Sequence, residues 1–219
     1  YNPFYYLEKL ELMHYEHVWV NYVKNNVIIE NTIPGEIIES WVRCKKNKVN
    51  AMMRRPPEIN IEHTEIKKRI EDHLEILNIS TPIMEMLINI LDEKDLSVQI
   101  VDSDCFIISN IHKNGLITEK NPVFRIGQEM DEALIGTNGY DLAIRHGKPI
   151  EVVGAEHYCE ILQKNATYSA PVFNKYGDIV LAVGITVQME KSNRNMLGMI
   201  SATAKAIENE FQLKEVHTQ

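Results

Sequence analysis

Glu156-His157-Tyr158-Cys159 places a carboxylate, an imidazole and a thiol within four residues, and shortly before it Gly136-Thr137-Asn138-Gly139 opens a segment with a glycine-rich turn. The first group has the residue types of a metal or thiol site, the second those of a phosphate site. A zinc site needs about four ligands, or three and a water. If 155–163 forms a short helix, His157 and Cys159 point to different faces and do not converge, so Glu156 reads as a residue that caps or orients His157. Gly136-Thr137-Asn138 could turn backbone N–H groups toward an anion. The same turn is also a helix entry capped by Thr137 or Asn138. The spacing of a dinucleotide or P-loop fingerprint is missing, which favours the cap.

Nucleophilic chemistry would require a thiolate beside a base, with a third group to orient the base. Cys44, Cys105 and Cys159 are odd in number, far apart and without a C-x-x-C pair, which suits a reducing compartment. Cys105 sits in an apolar strand and Cys44 next to Trp41, positions where a free cysteine behaves as a small core residue. The expectation is a chain that is not an enzyme and needs no cofactor or metal. The alternative is a redox enzyme or a thiol or metal sensor using these cysteines.

With 23 Lys and Arg against 31 Asp and Glu, the formal charge of -8 repels phosphate backbones. The one basic cluster, Arg54-Arg55, runs into Pro56-Pro57 and reads as a solvated linker. No apolar run is long enough to cross a bilayer, since the longest, Ile179 to Val187, is short and contains Gly184. A cytoplasmic protein with no membrane contact is expected.

The elements that hold these residues follow from periodicity. Leu7, Leu10, Leu12, Tyr15, Val18, Trp19, Tyr22 and Val23 put apolar groups on more than one face of a helix from Phe4 to Asn25. That predicts a homodimer through this helix, helped by the last one. Ile37, Ile38, Trp41 and Val42 carry a second helix toward Asn47, and a Pro-rich connection closes the section. Ile66 to Leu77 and Ile83 to Leu91 continue one helical stripe, with a kink or restart expected at Ser80-Thr81-Pro82. Beyond Asp95 the period becomes two: a hairpin around Asp102-Ser103-Asp104, a helix from Thr137 to His146 ended by Gly147, a strand from Ile150, and a second hairpin of 166–173 and 179–187 around Gly177. A helix from about Ser192 to Val216 closes the chain. This order predicts an α+β fold, a mainly antiparallel sheet flanked by helices, with an N-terminal helical extension at 1–57 and the sheet domain at 58–219.

Ser40-Trp41-Val42-Arg43-Cys44, then Gly136-Thr137-Asn138, Pro149, Gly154-Ala155-Glu156-His157-Tyr158, Ser169-Ala170-Pro171 and Gly177 resemble, in order, a series of motifs from the acetoin- and dihydroxyacetone-operon activators that work with sigma-54 polymerase. The resemblance implies a GAF-type sensory domain that binds a small-molecule effector or a regulatory protein. DNA and RNA polymerase are then contacted only through an AAA+ ATPase and a helix-turn-helix outside this chain. The sequence departs from the family pattern at Gly139-Tyr140-Asp141, at Thr167-Tyr168, and at Asp102-Ser103-Asp104-Cys105, where the family reads Asp-x-x-Gly. These departures lie beside the expected cleft, so the effector's identity is not carried over.

The expected cleft lies between the sheet and the 136–160 segment. Strand residues facing it, together with the crossover and short helix above, give the candidate ligand-binding set Ile107, Tyr140, Val153, His157, Tyr158, Tyr168, Ala170 and Ile185, with Asn138 and Glu156 behind them. A parity slip of one residue would exchange the faces of the strand members.

Overall fold

The computed structural model describes residues 15–28, 33–59, 61–91, 96–112 and 123–217. Leu7, Leu10 and Leu12 of the expected first helix lie outside them. Residues 15–25 form α1, which buries Val18, Trp19 and Tyr22. Gly35–Lys46 forms α2, whose buried Ile37, Ser40, Trp41 and Cys44 share one stripe at three- and four-residue spacing. Tyr22 stacks on Trp41 with ring centroids 5.4 Å apart. The described part of α1 therefore spends its apolar face inside its own chain.

Two helices follow, α3 (His63–Asp72) and α4 (Leu74–Ile90). The restart expected at Ser80-Thr81-Pro82 instead falls at His73, and α4 runs straight through Pro82. Pro82 and Asn78 are both exposed, so the carbonyl that proline leaves without a donor faces water and the helix survives. The sheet comprises β1 (Ser97–Asp102), β2 (Ile107–His112), β3 (Ile150–Val153), β4 (Asn165–Phe173) and β5 (Ile179–Gln188) in the order β2-β1-β5-β4-β3, every neighbour antiparallel. Among the described residues between β2 and β3 lie two short helices, α5 (Glu132–Ile135), which periodicity does not predict, and α6 (Gly139–His146). The helix expected over 155–163 is two separate 3-10 turns, Gly154–Glu156 and Glu160–Leu162. The closing helix α7 runs from Asn195 to His217.

Alternation along the strands divides the sheet into two unlike faces. Val98 and Ile100, Tyr168, Ala170 and Val172, and Leu181, Val183, Ile185 and Val187 pack under α4 and α7 with Met84, Leu87, Ile200 and Ile207. This is the main core. The opposite face, carrying Gln99, Thr167, Ser169, Gly184 and Thr186, lies under α6. Leu142 and Ala143 of α6 join a second core with α1, α2, β3 and Tyr158, so the N-terminal section and the sheet domain share buried surface.

Among the described residues, no helix is long and apolar enough to cross a membrane.

Candidate functional site

The glycine-rich turn is a cap. Asn138 Oδ1 accepts from the N–H groups of Tyr140 and Asp141, both at 3.1 Å, while its Nδ2 donates to the carbonyls of Met130 at 2.7 Å and Gly136 at 3.0 Å. Two of the first-turn donors that an anion would need are thereby occupied. Gly147 at φ 61 ends α6 in the left-handed conformation. Gly136, at φ 80, lies so close to Cys159 that a Cβ would stand 2.7 Å from Sγ.

The Ser-Trp-x-Arg-Cys stretch of α2 clamps this turn from behind. Ser40 Oγ donates to Glu132 Oε2 at 2.7 Å and lies 2.8 Å from Thr137 Oγ1. Arg43 binds both carboxylate oxygens of Glu132 through Nε and an NH2 group, the latter at 3.0 Å. Trp41 Nε1 donates to the Glu156 carbonyl at 2.8 Å, and Trp19 Nε1 to the Tyr158 carbonyl at 2.9 Å. Burial opposes a charge on Glu132, but the bonds from Arg43 and Ser40 outweigh it and hold its carboxyl below the usual value. Motifs far apart in the chain thus become one hydrogen-bonded assembly.

Between α6 and the sheet lies a closed polar layer. The Tyr140 hydroxyl donates to Gln99 Oε1, which also accepts from Thr186 Oγ1 at 3.0 Å. Gln99 Nε2 in turn donates to Ser97 and Asn110, each at 2.8 Å. The Tyr140 ring fills the space above Gly184, where a Cβ would fall 2.5 Å from Cε1. His157 is fully buried, with Nδ1 3.0 Å from the Gly154 carbonyl and Nε2 2.9 Å from Thr167 Oγ1. A carbonyl can only accept, so Nδ1 carries the proton and Nε2 accepts from the threonine hydroxyl. Burial pushes His157 down to about 4, so the imidazole is neutral. Glu156 accepts from the Val153 N–H at 2.7 Å, and burial pushes its carboxyl up to about 8.

Burial likewise drives all three thiols upward, Cys44 to about 11 and Cys159 to about 12, with Cys105 raised further by the Asp141 carboxylate. Thiols held protonated are poor nucleophiles. Among the described residues, no group of three or more His, Cys, Asp or Glu is placed to hold a metal ion.

The structure brings Tyr140, Asn138, Ile107 and, through Thr167, His157 to the α6 side of the sheet, while the Glu156 carboxyl is bonded to the Val153 N–H at the end of β3. Tyr158 packs in the second core with α1, α2 and Leu142 and Ala143 of α6, and Val153 lies at the rim of the main core. Tyr168, Ala170 and Ile185 require correction: they face α4 and α7 because the parity of β4 and β5 is one residue from that expected. Their neighbours Thr167, Ser169, Gly184 and Thr186 take the cleft side, together with Gln99. The signal for this was present, since Thr and Ser in β4 and Gly and Thr in β5 form a small, polar set alternating with large apolar residues. At Cys105, where the family carries glycine, the backbone still adopts φ 67.

No family model matches the sequence. The chain is 28% identical over 197 residues to the acetoin dehydrogenase operon transcriptional activator AcoR of Bacillus subtilis, covering 90% of this chain and 32% of AcoR. It is 22% identical over 183 residues to the glycerol metabolism operon regulatory protein of Citrobacter freundii, covering 83% of this chain and 28% of that protein. Among solved structures, the E. coli DhaR(N)-DhaL complex superposes with a TM-score of 0.78 at 18% identity, over 84% of this chain and 63% of that one. The chain has a GAF-like fold, shared with that solved structure, and is similar in sequence to operon regulators. It spans about a third of the length of the curated regulators it matches. In this GAF-like domain the Ser-Trp-x-Arg-Cys and Gly-Thr-Asn motifs act as architecture that fixes α6 against the sheet.

Proposed function

We propose that this chain is the effector-sensing regulatory domain of a sigma-54-dependent transcriptional activator, working in the cytoplasm and controlling an AAA+ ATPase outside the chain. One observation carries the reading. Thr167 and Tyr168 are adjacent in β4 and so point to opposite faces. Thr167 meets His157 on the α6 side, while the Tyr168 hydroxyl accepts the Asn193 N–H at 3.0 Å on the far side, at the entry to α7. A displacement of His157 or α6 therefore reaches the last helix through consecutive residues of one strand. A coupling of about 1–3 kcal/mol would be enough to bias an output domain.

The layer under α6 is filled by Tyr140, which favours an input that moves α6 over a ligand that enters an open hollow. A regulatory protein gripping the outer surface of α6 fits this best, and the similar DhaR(N) is known in complex with DhaL. A small molecule would have to displace the Tyr140 ring. In this reading Ile107, Tyr140, His157, Asn138 and Glu156 act with Gln99, Thr167, Ser169 and Thr186, residues 1–57 support α6, and 58–219 sense and transmit. The chain performs no catalysis, and it pairs with a second copy. That pairing runs through the first helix, although its Val18, Trp19 and Tyr22 pack within the chain, and is helped by the last helix, where Leu213 and Val216 are exposed.

The test is Tyr168→Phe, which removes the bond to Asn193 but keeps the packed ring. In the full-length regulator with a promoter reporter, it is expected to lose the effector response while costing about 1 kcal/mol of stability. An undiminished response would remove the basis for this route.

A further inference from the structure

Helix α7 carries two apolar faces. Met196, Ile200, Ala204, Ile207 and Phe211 turn into the main core. Met199, Ala202, Ala206, Asn209, Leu213 and Val216 recur at alternating steps of three and four residues, the a and d spacing of a coiled coil. At about 3.6 residues per turn, the second set is centred roughly 150° around the helix from the first, so it faces away from the sheet. Met199 is partly buried and the other five are exposed. Leu213 and Val216, at 57% and 62% exposure, lie just beyond Gln212. The Gln212 Nε2 donates to the Phe173 and Asn174 carbonyls at 3.2 and 3.1 Å, which holds the helix to the β4–β5 turn. Past that anchor the stripe has its largest apolar side chains and no cover from its own sheet.

The charges beside the stripe select its occupant. With Met199, Ala206 and Leu213 at a and Ala202, Asn209 and Val216 at d, Lys205 falls at g and Glu210 at e. In a parallel pair of helices a g residue meets the e residue five positions later on the other chain, so Lys205 of each copy faces Glu210 of the other. An antiparallel pair would set g against g and e against e, and the two charges would not meet. Lys205 is 63% exposed, and although its Nζ also binds Glu208, an ammonium has three donors. Glu210 is exposed. Asn209, the one polar member, meets its own copy across the two-fold axis, where amide can donate to amide and hold the register. Alanine at 202 and 206 leaves little apolar area to bury there, so the seam supplements contact made elsewhere and does not replace it.

We propose that α7 pairs in parallel with α7 of a second copy of this chain, in the register set by Asn209 and closed on both sides by Lys205 against the partner's Glu210. This rests on the homodimer reading above and gives it an orientation and a register. A parallel coil brings the two carboxyl-terminal ends of α7 together. The Tyr168 hydroxyl bonds the Asn193 N–H at the entry to α7, so a change relayed along β4 arrives at the base of the coil.

The experiment is sedimentation velocity of the 219-residue chain at concentrations up to about 100 μM, where a dimer is expected. Lys205→Glu sets like charges against each other twice per dimer and should raise the dimer dissociation constant about tenfold. The charge swap Lys205→Glu/Glu210→Lys should restore it, which a role of Lys205 through Glu208 in its own chain would not do. Val216→Cys under air oxidation should give a disulfide dimer, because opposed d positions of a parallel pair lie within the span of about 7 Å that a disulfide bridges. An antiparallel pair over the same seam would hold them about 25 Å apart. Cys44, Cys105 and Cys159 are buried and do not compete. A dimer whose affinity is unchanged by Lys205→Glu, a swap no tighter than the single variant, or no disulfide at position 216 would each overturn the seam and leave the homodimer reading standing. A monomer at about 100 μM would overturn both, while the sensing reading is decided separately by the Tyr168→Phe reporter.

Discussion

Gly184→Ala is the sharpest test of the packing beneath α6. Gly184 sits in the central strand β5, and its φ is not in the left-handed region, so the backbone accepts any L-residue. On conformational entropy alone, alanine should stabilise by about 0.4–1 kcal/mol. The ring of Tyr140 reverses that sign. A Cβ at 184 would stand 2.5 Å from Cε1 and 2.7 Å from both Cζ and Oη, inside any real contact distance. The ring has little freedom to withdraw, because its hydroxyl is bonded to Gln99, its other neighbour Phe124 lies 6.5 Å away centroid to centroid, and Tyr140 is fully buried. Overpacking of this kind costs about 1–3 kcal/mol, and about 1 kcal/mol more is lost if the hydroxyl leaves Gln99. Urea unfolding should therefore show Gly184→Ala destabilised by about 2 kcal/mol with an unchanged slope.

The decisive measurement is the cycle with Tyr140→Ala. That variant loses about 3–5 kcal/mol on its own for the deleted ring. In its background Gly184→Ala meets empty space and should become neutral or stabilising, a coupling of about 2 kcal/mol or more. If the two substitutions simply add, the ring does not press on the strand, and the account of a filled layer fails.

Three further outcomes follow from the site's electrostatics. Glu132→Gln removes the charge that Arg43 and Ser40 address at a residue only 3% exposed, and should cost about 2 kcal/mol by chemical denaturation at pH 7. Because the Glu132 carboxyl is held below its ordinary value in the fold, its contribution is present above that value and disappears as pH falls through the folded one, so the variant should also flatten the acid limb of stability. Glu156 works in the opposite sense: its folded value of about 8 lies above the ordinary 4.5, so its contribution is complete at acid pH and is lost as pH rises toward 8. Glu156→Gln, which keeps an acceptor for the Val153 N–H, should raise the melting temperature at pH 8 and leave it nearly unchanged at pH 5. Finally, all three cysteines are buried and free, so a thiol reagent at pH 7.5 should label none of them rapidly in the native chain and all of them in denaturant. Rapid native labelling of any one would revive a thiol-based function.

Sequence periodicity revealed the strands, the last helix and the cap of α6, because each has a strong local cause. Asn138 has the side chain of a cap, Gly147 the freedom of a C-terminal stop, and the strands alternate cleanly. What it missed depended on long-range geometry. The parity of β4 could not be settled from Tyr168 alone, since tyrosine suits either face; the alternation of Thr167 and Ser169 with it carried the signal, and the pairing of Thr167 with His157 confirms it in three dimensions. The same holds for α2. Ser40, Trp41, Arg43 and Cys44 resembled a family signature, but their purpose depends on Glu132, Thr137 and the Glu156 carbonyl, which lie about ninety residues or more along the chain. A motif whose partners lie so far away marks a tertiary joint more readily than a ligand site. By that reasoning the departure at Tyr140 is informative. The side chain that fills the layer, tied to Gln99 and Thr186 in strands β1 and β5, joins the helix to the middle of the sheet. An effector that shifts α6 must break or carry that joint, which ties the sheet's response to the movement of one ring.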